Sequence, residues 1–230
     1  MGLSFDAFYD QVLVRVGGEQ ALLGRMPTLR PVEQLAVLSD DRYLSAMSLR
    51  IFRAGLKHSM VNARWPKFEV VFSSFDPAIM ATVSDEELET RMKGEGVIKH
   101  WGKVKAIRHN AQFVQACAQE HGSFGHWVAN WPVQDITGLW RELSKRGAML
   151  GGKSGASFLR YVGKDTLLPT DDVVAVLEQM GLITGNPMNK TNLAIIQKQF
   201  NEWHTQTDLP YSYLSRIISM TINQPEAMFG

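Results

Sequence analysis

Three glycines, Gly151, Gly152 and Gly155, surround Lys153 and Ser154, and a pair of acids, Asp171 and Asp172, follows within one short stretch of chain. Closely spaced glycines let a backbone approach an anion, because no side chain stands in the way. A helix starting there offers unpaired N–H groups and the positive end of its dipole. The glycine turn is therefore a candidate phosphate cradle. Carboxylates in the first turn of the next helix could move a proton or stabilise developing positive charge. They would equally suit the helix dipole, with Thr170 as N-cap, and both roles can hold at once.

Helices are required on both sides of that turn. Leu139, Trp140 and Leu143 recur at helical spacing and Gly147 ends their helix after Lys145 and Arg146. Ala156, Leu159 and Val162 repeat the spacing beyond the glycines, and Pro169 with Thr170 opens a third helix. Gly147, Gly152, Lys153 and Ser154 also satisfy the G-x-x-x-x-G-K-S pattern of a P-loop. That motif needs a buried strand ahead of its first glycine. The residues there, Arg141, Glu142, Ser144, Lys145 and Arg146, belong to a helix, and no alternation of strands and helices appears elsewhere. ATP binding through a P-loop is accordingly not expected.

The 230 residues can bury a full core as one domain, or as two interleaved lobes. The chain is 45% hydrophobic and 20% charged with a net charge of +1, so any basic surface must be local. A single cysteine, Cys117, excludes an internal disulfide and a cysteine-rich metal site, which fits a reducing cytoplasm. The first residues carry acid and no long apolar run, so no signal peptide is expected, and no stretch approaches membrane-spanning length.

Taken in order, Ser4 caps a first helix with Phe5, Phe8, Tyr9, Val12, Leu13 and Val16 on its apolar stripe, ended by Gly17 and Gly18. Gly24 to Pro31 reads as a loop. A helix from Ser39, Asp40 and Asp41 is expected to run through Leu44, Met47, Ile51, Phe52 and Leu56. Ser84 to Glu87 is a capping box. Val104, Ile107, Ala111 and Val114 give a helix with a buried face. Lys99, His100, Lys103, Lys105, Arg108 and His109 cluster at its start, as a solvated face or as a patch on a nucleic-acid backbone. Two further helices are expected, one over Thr191 to His204 with Leu193, Ile196, Phe200 and Trp203 inward, and a last one through Tyr213, Leu214, Ile217 and Ile218.

The glycine turn resembles a helix-hairpin-helix, which grips one DNA phosphate without reading sequence, and the stretch is similar to the helix-hairpin-helix DNA glycosylase superfamily. Lys153 and Asp171 have the separation that superfamily shows between its hairpin lysine and its catalytic aspartate. Other segments resemble the DNA-3-methyladenine glycosylase I family: Asp40-Asp41-Arg42, Ala54-Gly55-Leu56, Phe75-Asp76-Pro77, then Ile98, His100, Gly102, Lys103, Ala106, Ile107, Asn110 and Ala111, then Lys145, Arg146, Gly147, Ser157, Phe158 and Gly163. The resemblance covers roughly residues 39–174.

It implies an all-α, two-lobed helix-hairpin-helix DNA glycosylase fold over residues 1–230, with the hairpin at about 139–163. It implies a monofunctional glycosylase of base-excision repair, hydrolysing the N-glycosidic bond of a flipped alkylated purine, 3-methyladenine-like, in duplex DNA. The alternative is a non-catalytic DNA-binding or damage-sensing relative. Asp171 is the first candidate for the catalytic carboxylate and Asp172 the second. Gly151, Gly152, Lys153, Ser154, Gly155 and Lys103 are the candidate DNA contacts. Lys153 could also attack the sugar as a Schiff-base nucleophile. Arg50, Phe52, Arg53, His58 and Trp65 form the candidate base pocket. No cofactor and no metal are expected, and the protein is expected to act on double-stranded DNA as a cytoplasmic monomer.

Two departures from the family matter chemically. Its base-pocket glutamate is replaced by Arg50, and its following tryptophan by His58. A cationic base would be repelled by Arg50 by several kcal/mol in a dry pocket and by only ~1 kcal/mol in a wet one. The last two ligands of the family's zinc site, a histidine and a cysteine, fall on Asp172 and Val176. No structural zinc is therefore expected, and added terminal helices could hold the ends together instead.

Overall fold

The computed structural model describes residues 4–222, and every regular element among them is helical. Helix α1 spans Phe5–Val16, α2 Glu19–Leu23 and α3 Val32–Ala36. Helix α4 (Asp40–Arg53) leads to α5 (His58–Val71), then to the short α6 (Pro77–Met80) and α7 (Asp85–Met92). Helix α8 (Trp101–His121) is the longest, followed by α9 (Phe124–Asn130). Helices α10 (Ile136–Arg146) and α11 (Lys153–Tyr161) flank the glycine turn. Helices α12 (Asp171–Gln179), α13 (Lys190–Thr207) and α14 (Tyr211–Ser219) complete the order.

The helix starts follow the side chains available to cap them. The hydroxyls of Ser4, Ser84 and Thr170 accept from the backbone N–H of Asp6, Glu87 and Val173. Each bond satisfies one of the donors that a helix leaves unpaired in its first turn.

Helices α4 and α8 serve two hydrophobic clusters at once. Tyr43, Met47 and Ile51 of α4, with Phe113, Val114 and Cys117 of α8, enter the larger cluster with α9–α14 and α1. Leu44, Leu49 and Phe52, with Val104, Ile107 and Ala111, enter the smaller one with α5 to α7. Residues one apart on a helix point about 100° away from each other, so an apolar run can feed both sides. The space between the clusters is thus walled by helices anchored in both cores.

Two expectations are corrected. Helix α4 stops at Arg53 rather than continuing through Leu56: Ala54 is extended and Gly55 sits at φ +75°. Lys103 Nζ donates to the carbonyls of Phe52 and Ala54, closing that end. The segment around the Gly24–Pro31 loop also contains two short helices, α2 and α3, that hydrophobic spacing does not reveal. At the other end of the chain, Trp203 of α13 packs on Phe5 and Phe8 of α1, with ring centroids at 5.7 and 6.1 Å. Arg15 Nη1 donates to the carbonyls of Met220 and Ile222. Among the described residues no helix is long and apolar enough to cross a membrane.

Candidate nucleic-acid interface

Helix α10 runs into Gly147, so a helix and not a strand precedes the glycine turn. The turn is tight because two glycines permit it. A Cβ on Gly155 would lie 3.0 Å from the Leu150 carbonyl oxygen and 3.4 Å from Leu143 Cδ1, so only a bare Cα lets α11 cross α10 this closely. Gly152 caps α11 at φ +58°, ψ −136°, a region open to glycine and costly for other residues. Gly151 and Gly152 are exposed. The amides of Gly151, Gly152 and Lys153 donate to no acceptor among the described residues, whereas Ser154 N–H is spent on the Gly151 carbonyl. Three free N–H groups at the start of a helix form a concavity suited to a phosphate oxygen. Since a Cβ on Gly152 would meet no protein atom within 4 Å, Gly152→Val acts through its strained backbone and through a side chain placed beside the free amides. It is expected to cost ~1–3 kcal/mol of stability and to weaken binding to any duplex regardless of sequence, measured by thermal unfolding and by fluorescence anisotropy.

The two acids point to different places. Asp171 Oδ1 accepts from Lys153 Nζ at 2.5 Å, and the Asp171 side chain is 95% exposed, on the open surface beside the glycine turn. Asp172 instead lines a cavity of about 280 Å³ with Arg25, Arg160 and Arg216, next to Ser215 and Ser219 of α14. The hairpin and the acid of α12 thus meet through Lys153 and Asp171 only. No group of three or more His, Cys, Asp or Glu side chains able to hold a metal ion occurs among the described residues.

A second cavity, of about 470 Å³, lies between α4, α5 and the end of α11. Arg42, Ser45 and Leu49 face it from α4, Trp65 and Glu69 from α5, and Tyr161 from α11. It could hold a purine, and its walls combine apolar surface from Leu38, Ala46, Leu49 and Val162 with one polar cluster. Arg42 donates to both oxygens of Glu69, at 3.0 and 2.9 Å. Ser45 Oγ donates to Glu69 Oε1 at 2.6 Å, and Trp65 Nε1 donates to Ser45 Oγ at 3.1 Å. Trp65 lies parallel to Phe68 and Phe75, at 4.9 and 5.2 Å. Its ring is therefore held within an aromatic stack. Tyr161, 53% exposed, carries the guanidinium of Arg53 over its ring at 5.1 Å. Arg53 is fixed from behind by Asn62, whose Oδ1 accepts from Arg53 Nε and Nη2. Sequence reasoning missed Tyr161, Ser45 and Glu69. Only the exposed aromatic at the end of an otherwise buried α11 stripe gave a signal.

Of the other expected pocket residues, Phe52 is fully buried in the smaller core, 4.7 Å from Phe68, and so supports the wall without facing the cavity. Lys103, expected among the DNA contacts, is 8% exposed and turned inward onto the end of α4, which gives its ammonium a structural partner. His58 is exposed in the first turn of α5. Arg50 is half-buried, and its Nε has no hydrogen-bond partner among the described residues. Burial, and then the charge of Arg53, weaken the hold of Arg50 on its proton. Burial, then Arg53 and Arg50, lower the pKa of His58. Burial, then Arg50, do the same to Lys103. The end of α4 is thus a cluster of cations that feel one another.

Comparison with known proteins places this geometry. DNA-3-methyladenine glycosylase 1 of Escherichia coli (strain K12) is 33% identical over 60 residues, which are 26% of this chain and 32% of that protein. The matched part is thus about a third of the length of this relative. Among solved structures, that of 3-methyladenine DNA glycosylase I from Staphylococcus aureus is 21% identical, with a TM-score of 0.51 over 64% of this chain and 86% of that one. The structure of Methanocaldococcus jannaschii 8-oxoguanine DNA glycosylase is 15% identical, with a TM-score of 0.57 over 93% and 91% of the two chains. Both likenesses are of fold: an all-α helix-hairpin-helix glycosylase architecture, extending in the second case across nearly the whole chain. The family model described as methyladenine glycosylase matches residues 35–149, half of the sequence, ending just before the glycine turn. This chain belongs to the methyladenine glycosylase family.

Proposed function

We propose that the protein is a DNA glycosylase of base-excision repair, which hydrolyses the N-glycosidic bond of a flipped alkylated purine, 3-methyladenine-like, in double-stranded DNA. The observation that carries the reading is the hairpin itself: free amides at Gly151 to Lys153, with Asp171 tied to Lys153 at their side. The amides would hold a phosphate beside the lesion, and Ser154 and Gly155 complete the start of α11. The base would leave the stack for the α4–α5–α11 cavity. Asp171 would orient the attacking water or stabilise the oxocarbenium-like sugar. Asp172, turned toward Arg25, Arg160 and Arg216, is the weaker candidate.

The reaction is hydrolysis without strand cleavage. Lys153 is held by Asp171 on the surface of the hairpin, where it would contact a phosphate rather than the sugar. We place the enzyme in the cytoplasm, acting as a monomer without cofactor or metal. The test is incubation with methylated genomic DNA and mass detection of free bases. Release of alkylated purines with no borohydride-trapped protein–DNA adduct is expected. Duplex binding with no base released would overturn the reading in favour of a non-catalytic damage sensor, and a trapped adduct would make Lys153 a nucleophile.

A further inference from the structure

A groove of about 620 Å³ opens beside the glycine turn, between α8, residues 81–84 and the chain that leads out of α10. Lys105, Arg108 and His109 of α8 line it together with Ala148 and Met149, and no carboxylate is among its lining residues. Groove and turn are built as one piece. The buried Asn110 accepts from the Ala148 N–H at 2.8 Å and donates to the Ala148 carbonyl at 3.2 Å. His109 Nε2 lies 3.0 Å from the Arg146 carbonyl, and a carbonyl only accepts, so Nε2 carries the proton there. Met149 holds φ +58°, and a Cβ on Gly102 would come within 3.2 Å of its Cε. The first turns of α8 therefore stand at a fixed offset from the free amides of Gly151 to Lys153.

The two permanent cations of the groove differ in what already holds them. Arg108 Nη2 donates to Asp85 Oδ1 at 2.5 Å, and its Nη1 to the Val83 carbonyl at 2.9 Å. Asp85, Glu86 and Glu87 in the first turn of α7 make that side acidic. Lys105 is exposed and forms no ion pair among the described residues, and its ammonium lies 5.2 Å from the ring centre of Trp101. A lysine carries its charge on a flexible stem, and the contact with Trp101 narrows where that charge sits. The turn decides which anion comes here. A DNA strand carries one phosphate per ~3.4 Å of helix axis, so a duplex gripped at one phosphate lays others on the adjoining surface. The acids of α7 repel them, and Lys105 attracts them. Resting on the DNA-binding hairpin of the glycosylase reading above, we propose that Lys105 holds a second phosphate of the bound duplex in this groove, without reading sequence. Contacts at the turn and at α8 fix how the duplex lies across the hairpin. Helix α8 also closes the end of α4 through Lys103, so the second contact and a wall of the α4–α5–α11 cavity share one support.

The experiment follows duplex affinity by fluorescence anisotropy across a salt series, with undamaged duplexes of two unrelated sequences. Lys105→Ala is expected to lower the slope of log affinity against log salt by about 1, equally for both sequences. Lys105→Arg is expected to restore the slope, and Lys198→Ala, the same loss of charge on α13, to leave it unchanged. Duplexes in which one phosphate at a time is a neutral methylphosphonate locate the contact. Wild type is expected to lose affinity at the phosphate of the turn and at a second one. Lys105→Ala should lose sensitivity at the second alone, and Gly152→Val at the first alone, with thermal unfolding showing that each variant is folded. An unchanged slope, or a methylphosphonate pattern that Lys105→Ala does not alter, would overturn the proposal, and base release by wild type would then leave the glycosylase reading intact. The expected pattern with no base released from methylated DNA would uphold the phosphate contact and remove the glycosylase reading. A wild type that binds no duplex would remove both.

Discussion

Asp171→Asn is expected to lower base release by roughly 10²–10⁴-fold, the usual contribution of a positioned acid or base, while Asp172→Asn leaves the rate within about threefold, well under the ~1.4 kcal/mol that makes a decade. The two acids are adjacent in sequence and differ by what they face. Asp171 bonds the hairpin lysine and lies open beside the free amides of the turn, where a phosphodiester would bring the sugar. Asp172 belongs to the arginine-lined cavity against α14. Stability should separate chemistry from folding. The Lys153–Asp171 pair is exposed on both sides, and such pairs contribute ~0–1 kcal/mol. The Asp171→Asn protein should therefore unfold within a few degrees of wild type while its single-turnover rate collapses. Equal losses at the two positions would mean that the carboxylates act together on the helix dipole, and a larger loss at Asp172 would move the reaction to the other cavity.

That comparison also shows what could be read from the chain before its structure. Caps were legible because they are local: Ser4, Ser84 and Thr170 each bond an amide two or three residues on. The glycine turn was legible because Gly152 and Gly155 have few uses other than an unusual φ or a close crossing. The choice between Asp171 and Asp172 was not. Neighbours on a helix point about 100° apart, and which direction meets Lys153 is decided by the packing of α12 on α14. Lys103 misled for the same reason. Its place in a run of basic residues suggested a solvated face, but the ladder position that makes Val104 and Ile107 buried also turns Lys103 toward the open carbonyls at the end of α4. The cavity wall was the least legible part. Arg42 and Glu69 are on different helices, and only the pairing of α4 with α5 brings them within 3 Å. The family match ends at Met149, so the acid after the hairpin rests on its spacing from Lys153 and on the bond between Lys153 and Asp171.

Trp203→Ala is expected to cost ~3–5 kcal/mol, the range for removing a large buried aromatic. The indole is 1% exposed and touches Phe5, Phe8 and Phe200, at 5.7, 6.1 and 5.2 Å between ring centroids. Two of those rings come from α1, so the residue fastens the first helix to the last third of the chain. Removing it opens a cavity that rings anchored on separate helices cannot collapse to fill, and the tilted and edge-on contacts are lost with the buried area. For a chain of this length the melting temperature should fall on the order of 10 °C. Trp203→Phe keeps most of the contact and should lose much less. The loss belongs to folding rather than chemistry, because α13 contributes no residue to the hairpin or to the α4–α5–α11 cavity. Below the melting transition, the folded fraction of Trp203→Ala should therefore release base at the wild-type rate. A protein that stays fully folded with Trp203→Ala would show that α1 is held by its other contacts, Arg15 to the carbonyls after α14 foremost. A protein that stays folded yet loses activity would show that the terminal helices reach the reacting site through α12, which packs on α14 and carries both acids.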